Sequence, residues 1–359
     1  MTYAIDGKTA FVTGATGLLG NNLVRALTAR GVKVKALARS REKAARQLGG
    51  LPNVTVIQGD MQELAGFAEE LKGCDLLFHT AAYFRDSYTG GAHGDALHAV
   101  NVLGARNLIR AAYDAGIRRM VHTSSIALLD GKPGETLDET SLRDRDHADD
   151  YYRSKIDTDA EILGFAAEHP DMHVSLIMPG WMHGPGDIGP TSAGQVTLDY
   201  LNGRIPGIIP GTVSLVDARD VAATAIAAAE RGRRGERYLA AGRHMSMPEV
   251  LSAYERVTGI AAPRRRIPAA LLFVTAAISE IKARWTGKPV LLSLATVRLM
   301  MREAERTRFD HRKSEQELGL TFRPIDRTLA DEVQWYRDNG WLKPASRAGG
   351  LASQRLNLA

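Results

Sequence analysis

The sequence predicts an α/β fold: a doubly wound parallel sheet followed by a smaller, mostly helical cap. Three observations lead there. Short β-rich segments alternate with helical ones through the first half of the chain. Gly14, Gly17 and Gly20 punctuate the passage from the first of these segments, TAFVT, into the first helix. After about residue 180 the alternation gives way to a Gly/Pro cluster, PGWMHGPGDIGP, and then to helical stretches.

Strands are expected at 9–13, 32–38, 54–58, 75–80, 118–125 and 173–178, with helices at 18–30, 41–48, 61–71, 95–115 and 150–167. Right-handed crossovers between parallel strands place all their carboxyl ends, and any ligand, along one edge. Further helices are expected near 191–203, 217–231, 246–258, 267–284, 290–304 and 326–338, forming a cap over that edge. The small, polar run PASRAGGLASQRLNLA at 344–359 reads as a loose tail. There is no internal repeat.

Composition narrows the function. With 359 residues, 44% hydrophobic and 24% charged, the chain can bury a sizeable core in one large α/β domain or two closely joined ones. The net charge of +5 is scattered, and the densest basic run, Arg264–Arg266, lacks interleaved aromatics, which argues against a nucleic-acid partner. A mildly basic surface suits a phosphorylated cofactor or an anionic substrate. One cysteine, Cys74, leaves no partner for a disulfide within the chain and no thiolate cluster, so no metal is expected. The start MTYAIDGK lacks the features of a signal peptide. IPAALLFVTAAISEI at 267–281 is too short to span a bilayer and reads as a packed helix, one that could line an apolar cavity. These readings predict a cytoplasmic protein acting on a small molecule.

The three glycines answer to a phosphate cradle better than to a flexible loop, because a strand precedes them and a helix follows. Gly14 permits the tight turn, Gly17 lets the backbone approach a pyrophosphate, and Gly20 lets the helix pack close to the strand. The helix N-terminus adds free N–H groups and partial positive charge. The segment Gly14, Thr16, Gly17, Leu18, Leu19 and Gly20 is therefore expected to hold a dinucleotide, in a Rossmann-type domain over residues 1–180. The cap then occupies 181–343, with some segments returning to the core.

The second strand ends in ALARSREK, without the carboxylate that would accept both ribose hydroxyls and repel a 2′-phosphate. Arg39 can grip such a phosphate with two hydrogen bonds, with Ser40 and Arg41 as helpers. NADP(H) is preferred, and NAD(H) stays admissible because the alternative reading of Arg39 is a solvated charge at a strand end. Asp60, with Met61 beside it, could accept the adenine amino group or cap a helix. Thr80, Ala81 and Ala82 end the fourth strand with small residues suited to a backbone pressed against the cofactor, whereas His79 reads as a packed histidine.

Tyr151 and Lys155 lie four apart in YYRSK, on one face of a helix, with Cβ atoms roughly 6 Å apart. An ammonium beside a phenol stabilises the phenolate and makes the tyrosine a usable acid or base. Tyr152 is a competitor for the role. Ser124 and Ser125 end the fifth strand at the same edge, where a hydroxyl can hold a substrate oxygen. Asn101 could steady a water near Lys155 or be a buried amide.

TGATGLLG, GDM, HTAA, NVLGARNL, TSS and YxxxK in this order resemble the extended short-chain dehydrogenase/reductase family, and VSLVDARDVA and ERYLAAG extend the likeness to about residue 343. The resemblance implies that Tyr151 is the acid/base and that Lys155 tunes it and binds the nicotinamide ribose. It further implies that Ser125, rather than Ser124, holds the substrate oxygen, with Asn101 in support. Pro179, at the end of the sixth strand, is placed against the cofactor. Two branches look similar: the dihydroflavonol reductase-like group, which also carries Arg at the second strand's end, and the hopanoid-associated sugar epimerase-like group. One departure is MPGWMHGP, where the family's RPxxVYGP has Arg, Val and Tyr at the positions of Met178, Met182 and His183.

The leading functional reading is an NADP(H)-dependent oxidoreductase interconverting a carbonyl and an alcohol. A nucleotide-sugar epimerase or dehydratase with tightly held NAD(P) is the alternative, and a non-catalytic dinucleotide sensor is a third. The long helices at 95–115 and 150–168 are compatible with a homodimer bundle or with burial in a monomer.

Overall fold

The computed structural model describes residues 2–83, 93–286 and 294–342. The expected tail at 344–359 lies outside them, as do positions 290–293. Seven parallel strands form the central sheet: β1 Thr9–Thr13, β2 Lys33–Ala38, β3 Val54–Gln58, β4 Leu76–His79, β5 Arg119–Thr123, β6 His173–Pro179 and β7 Arg237–Ala240. Their spatial order is β7-β6-β5-β4-β1-β2-β3, so the winding reverses between β1 and β4. In such a sheet the crevice at the reversal is where ligands sit.

Each face of the sheet carries its own apolar layer. On one, Leu23, Val24 and Leu27 of α1 (Leu18–Ala29) pack with Val221, Ala222 and Ala225 of the helix Ala218–Arg231. On the other, Leu108, Ile109 and Ala112 of Gly104–Asp114 meet Ile162 and Ala166 of Asp150–Glu168. The helix expected at 217–231 thus packs on the central sheet as a segment that returns from beyond residue 180 to the core. Nine small or apolar side chains buried along 14 residues suit it to that flat surface.

Two expectations differ from the structure. Residues 61–71 form two short 3₁₀ turns, Leu64–Gly66 and Ala68–Leu71, rather than a helix. Gly66 weakens a helix at mid-run, and the extended φ of −141° at Phe67 lets its ring stack on Phe11 at 5.9 Å. The long helix at 95–115 is interrupted by a π-helical stretch, His98–Leu103, between Gly94–Leu97 and Gly104–Asp114. Beyond β6, a small sheet joins Trp181–His183, Thr212–Asp217 and Arg243–Ser246. The helices Ser192–Leu201, Met247–Thr258 and Ile325–Asp338 cluster with it through Tyr200, Val250, Tyr254 and Leu329.

Candidate active site

The backbone after β1 fits a dinucleotide pyrophosphate. Gly14 has φ of +67°, and a Cβ there would lie 2.7 Å from the amide nitrogen of Ala81 and 2.8 Å from Thr80 Oγ1. At Gly20 a Cβ would lie 2.1 Å from the Gly14 carbonyl oxygen. Gly17, the N-cap of α1, would meet only that oxygen, at 3.3 Å, so the space above it is open. No side chain caps α1 and no acid stands in its first turn, which leaves its N-terminal dipole to an anion. Leu18 and Leu19 are buried beneath, while Thr16 is half-buried. Thr80 closes the turn by donating from Oγ1 to the Thr13 carbonyl at 2.7 Å. Ala82 is exposed beside it, and Pro179 is buried at the end of β6.

Arg39 and Ser40 leave the end of β2 exposed to solvent. Ser40 Oγ accepts the Lys43 N–H at 3.1 Å and so caps the helix Arg41–Leu48. Lys43, which sequence reasoning passed over, is half-buried, and burial lowers its pKa against the opposing pull of Asp187. Asp60 Oδ1 accepts from Gln62 N at 3.0 Å, starting a turn rather than an α-helix. The Met61 side chain sits in the core, with its methyl near Gly104.

Asp149 caps the helix Asp150–Glu168 through the Tyr152 N–H, which starts the helix so that Tyr151 and Lys155 stand one turn apart. Both are buried, at 6% and 4% exposure. Lys155 Nζ donates to the Thr123 carbonyl at the end of β5, at 3.2 Å. Burial pulls its pKa down to about 8. Tyr152 is engaged elsewhere, with its ring under the Arg143 guanidinium at 4.6 Å. The two serines also separate. Ser124 Oγ donates to the buried Asp159 carboxylate at 3.0 Å, whereas Ser125 Oγ accepts from Ala127 N at 3.1 Å and keeps its own proton for another acceptor. Asn101, inside the π-helical stretch, accepts from Tyr83 N and donates to Tyr83 O and Ser154 Oγ at 2.7, 3.0 and 3.2 Å. Its amide clamps the backbone that leaves β4.

Behind Lys155 lies a polar layer that the sequence reading missed. Asp159, fully buried, accepts from Arg237 Nε of β7 at 3.0 Å as well as from Ser124. Its position four residues after Lys155, on the same helical face, was the available signal. The His79 and His122 rings lie 5.2 Å apart, tilted by 31°, and burial pushes both below the ordinary histidine range. His79 Nδ1 pairs with Thr13 Oγ1 at 2.7 Å, a packed histidine as expected.

Residues 10–241 match the profile of the NAD dependent epimerase/dehydratase family. The chain belongs to this family. It is thus an NAD(P)-dependent enzyme of the extended short-chain dehydrogenase/reductase type. Among its relatives is a sterol demethylase protein B of Methylococcus capsulatus, 35% identical over 337 residues that cover 93% of this chain and all of the relative. A putative dihydroflavonol 4-reductase of Synechocystis is 33% identical over 339 residues, covering 93% of this chain and 96% of the relative. The crystal structure of gox2253 superposes with a TM-score of 0.78 at 29% identity, over 94% of this chain and all of the other. Where family members commonly carry Tyr, this epimerase/dehydratase family member has His183 in a structural role. The imidazole is fully buried, and its Nδ1 pairs with Glu332 Oε2 at 2.8 Å, tying Trp181–His183 to the helix Ile325–Asp338.

Proposed function

We propose that this protein is an NADP(H)-dependent oxidoreductase that interconverts a carbonyl and an alcohol. The observation that carries the reading is Lys155. A buried ammonium, anchored to the Thr123 carbonyl and one helical turn from Tyr151, has no packing purpose that would repay its desolvation. The kinship with a putative dihydroflavonol 4-reductase also favours a reductase.

When bound, the nicotinamide supplies or accepts the hydride at the substrate carbon. The chain's own residues handle the oxygen. Tyr151 Oη gives its proton to that oxygen in the reducing direction and takes it back in the oxidising one. Lys155 stabilises the phenolate left behind and has further N–H donors for the nicotinamide ribose. Ser125, its lone pair occupied by Ala127 N, donates to the same substrate oxygen and stabilises its developing charge. Asn101 holds the Tyr83 backbone, and through it the approach to the site. At the other end of the cofactor, the Gly14–Gly20 turn takes the pyrophosphate, and Asp60 and Met61 border the adenine. Arg39 meets the 2′-phosphate, with Lys43 adding positive charge nearby.

The test is to denature purified protein, identify any released nucleotide, and titrate emptied protein with NADPH and NADH. Exchangeable binding that favours NADPH is expected. Stoichiometric NAD retained through purification would replace this reading with that of an epimerase or dehydratase.

A further inference from the structure

Seven large apolar side chains are exposed among the described residues, and three of them share one helix, Ala269–Thr286. Leu271, Val274 and Ile278 are 50%, 54% and 59% exposed. At 100° per residue their spacing confines them to an arc of about 60°. The opposite side of the same helix is packed, with Leu272 and Ala276 buried against Val297 of Leu294–Glu303. A helix that is apolar on both its covered and its open side is left uncovered on the open side by the described residues.

The polar groups along the open side are turned inward. Thr275 Oγ1 donates to the carbonyls of Leu271 and Leu272 at 3.0 and 2.9 Å, and Ser279 Oγ donates to the Thr275 carbonyl at 2.8 Å. No charged residue occurs between Ile267 and Ser279. Such internal satisfaction is what an apolar medium demands of a backbone and its hydroxyls. Immediately before the helix stand Arg265 and Arg266, both exposed and without an ion pair among the described residues, whereas Arg264 is paired with Glu255. No described helix is long and apolar enough to cross a membrane.

We propose that Ala269–Thr286 docks this protein on an anionic phospholipid surface. The helix lies in the plane of the interface, with Leu271, Val274 and Ile278 inserted and Arg265 and Arg266 against the lipid phosphates. Basic charge beside an uncharged apolar stripe selects an anionic bilayer over a second copy of this basic chain. The docking helix is coupled to the catalytic region through its neighbour: Glu303 accepts both of its hydrogen bonds from Arg143, whose guanidinium covers Tyr152 and donates to the carbonyls of Ala127 and Leu129. The proposal does not depend on which carbonyl the site reduces.

Co-sedimentation of the full chain with sucrose-loaded vesicles tests it. Wild-type protein is expected to pellet with phosphatidylcholine vesicles containing about one-third phosphatidylglycerol, and to do so less as salt rises. Pure phosphatidylcholine should pellet far less. Val274→Glu/Ile278→Glu should reduce the partition coefficient at least about tenfold, and Arg265→Gln/Arg266→Gln several-fold. All four side chains are exposed, so an unchanged melting temperature should accompany the loss. Absence of wild-type binding, or binding indifferent to both double variants, overturns the proposal. So does light scattering that shows a wild-type dimer converted to monomer by Val274→Glu/Ile278→Glu, since a second copy would then cover the face.

Discussion

Lys155 is held in its charged form against its surroundings. Burial lowers its pKa from 10.5 to about 8, while the Asp159 carboxylate one turn on pulls the other way. Between those two values the unfolded chain binds the proton that the folded chain has released, so this residue makes unfolding costlier as pH rises through the window. Lys155→Met is therefore expected to stabilise the fold by about 2 kcal/mol at pH 7, an advantage that shrinks towards pH 10. Urea denaturation at the two pH values measures it. In the proposed mechanism the same titration removes the ammonium that assists Tyr151, so turnover should fall as pH rises through about 8. Tyr151→Phe should abolish turnover and leave nucleotide binding nearly intact. Full activity in that variant would transfer the acid/base role to Tyr152, despite its place under Arg143. Arg39→Asp should shift preference from NADPH towards NADH, read as a ratio of dissociation constants. An unchanged ratio would make Arg39 a surface charge only.

The turn between β1 and α1 separates what glycine does for packing from what it does for a ligand. Gly20→Ala drives a methyl into the Gly14 carbonyl and should lower the melting temperature. Overpacking of this kind costs about 1–3 kcal/mol or more. Gly17→Ala meets only a 3.3 Å contact and should melt like wild type while binding NADPH at least about tenfold more weakly. Equal effects of the two substitutions on melting would contradict the open space over Gly17. Elements whose pattern is local were legible in the sequence. β1, β2, β3 and the helix Arg41–Leu48 stand where alternation and turn residues put them. The 3₁₀ turns at 64–71 were not legible, because Phe67 abandons the helix for a tertiary contact with Phe11. The π-helical stretch was equally hidden: nothing in NVLGARNL announces that Asn101 will reach the Tyr83 backbone. Asp159 was readable by helical period, but its partner Arg237 lies 78 residues away and only the sheet order brings it there.

Across the molecule, the last of the described helices, Ile325–Asp338, fastens the region beyond β6. Glu332 accepts from Thr197 Oγ1 at 2.8 Å and pairs with His183, while Tyr336 OH reaches Asp187 at 3.4 Å. Glu332→Ala strands the buried His183 imidazole, whereas Thr197 keeps Ala193 O and Tyr254 OH, and should cost about 3 kcal/mol, seen as a lower melting temperature. If it melts like wild type, the pair is dispensable for the fold. The order of strands has a consequence for synthesis. β7 pairs with β6, yet residues 180–236 separate them in the chain. At roughly 5–20 residues per second, the ribosome delivers six strands and then takes about 3–12 s to release the seventh. For that interval β6 is a bare edge, with Asp159 waiting for Arg237. The newborn chain is thus most open to mispairing, and most in need of a chaperone, while it is still being made.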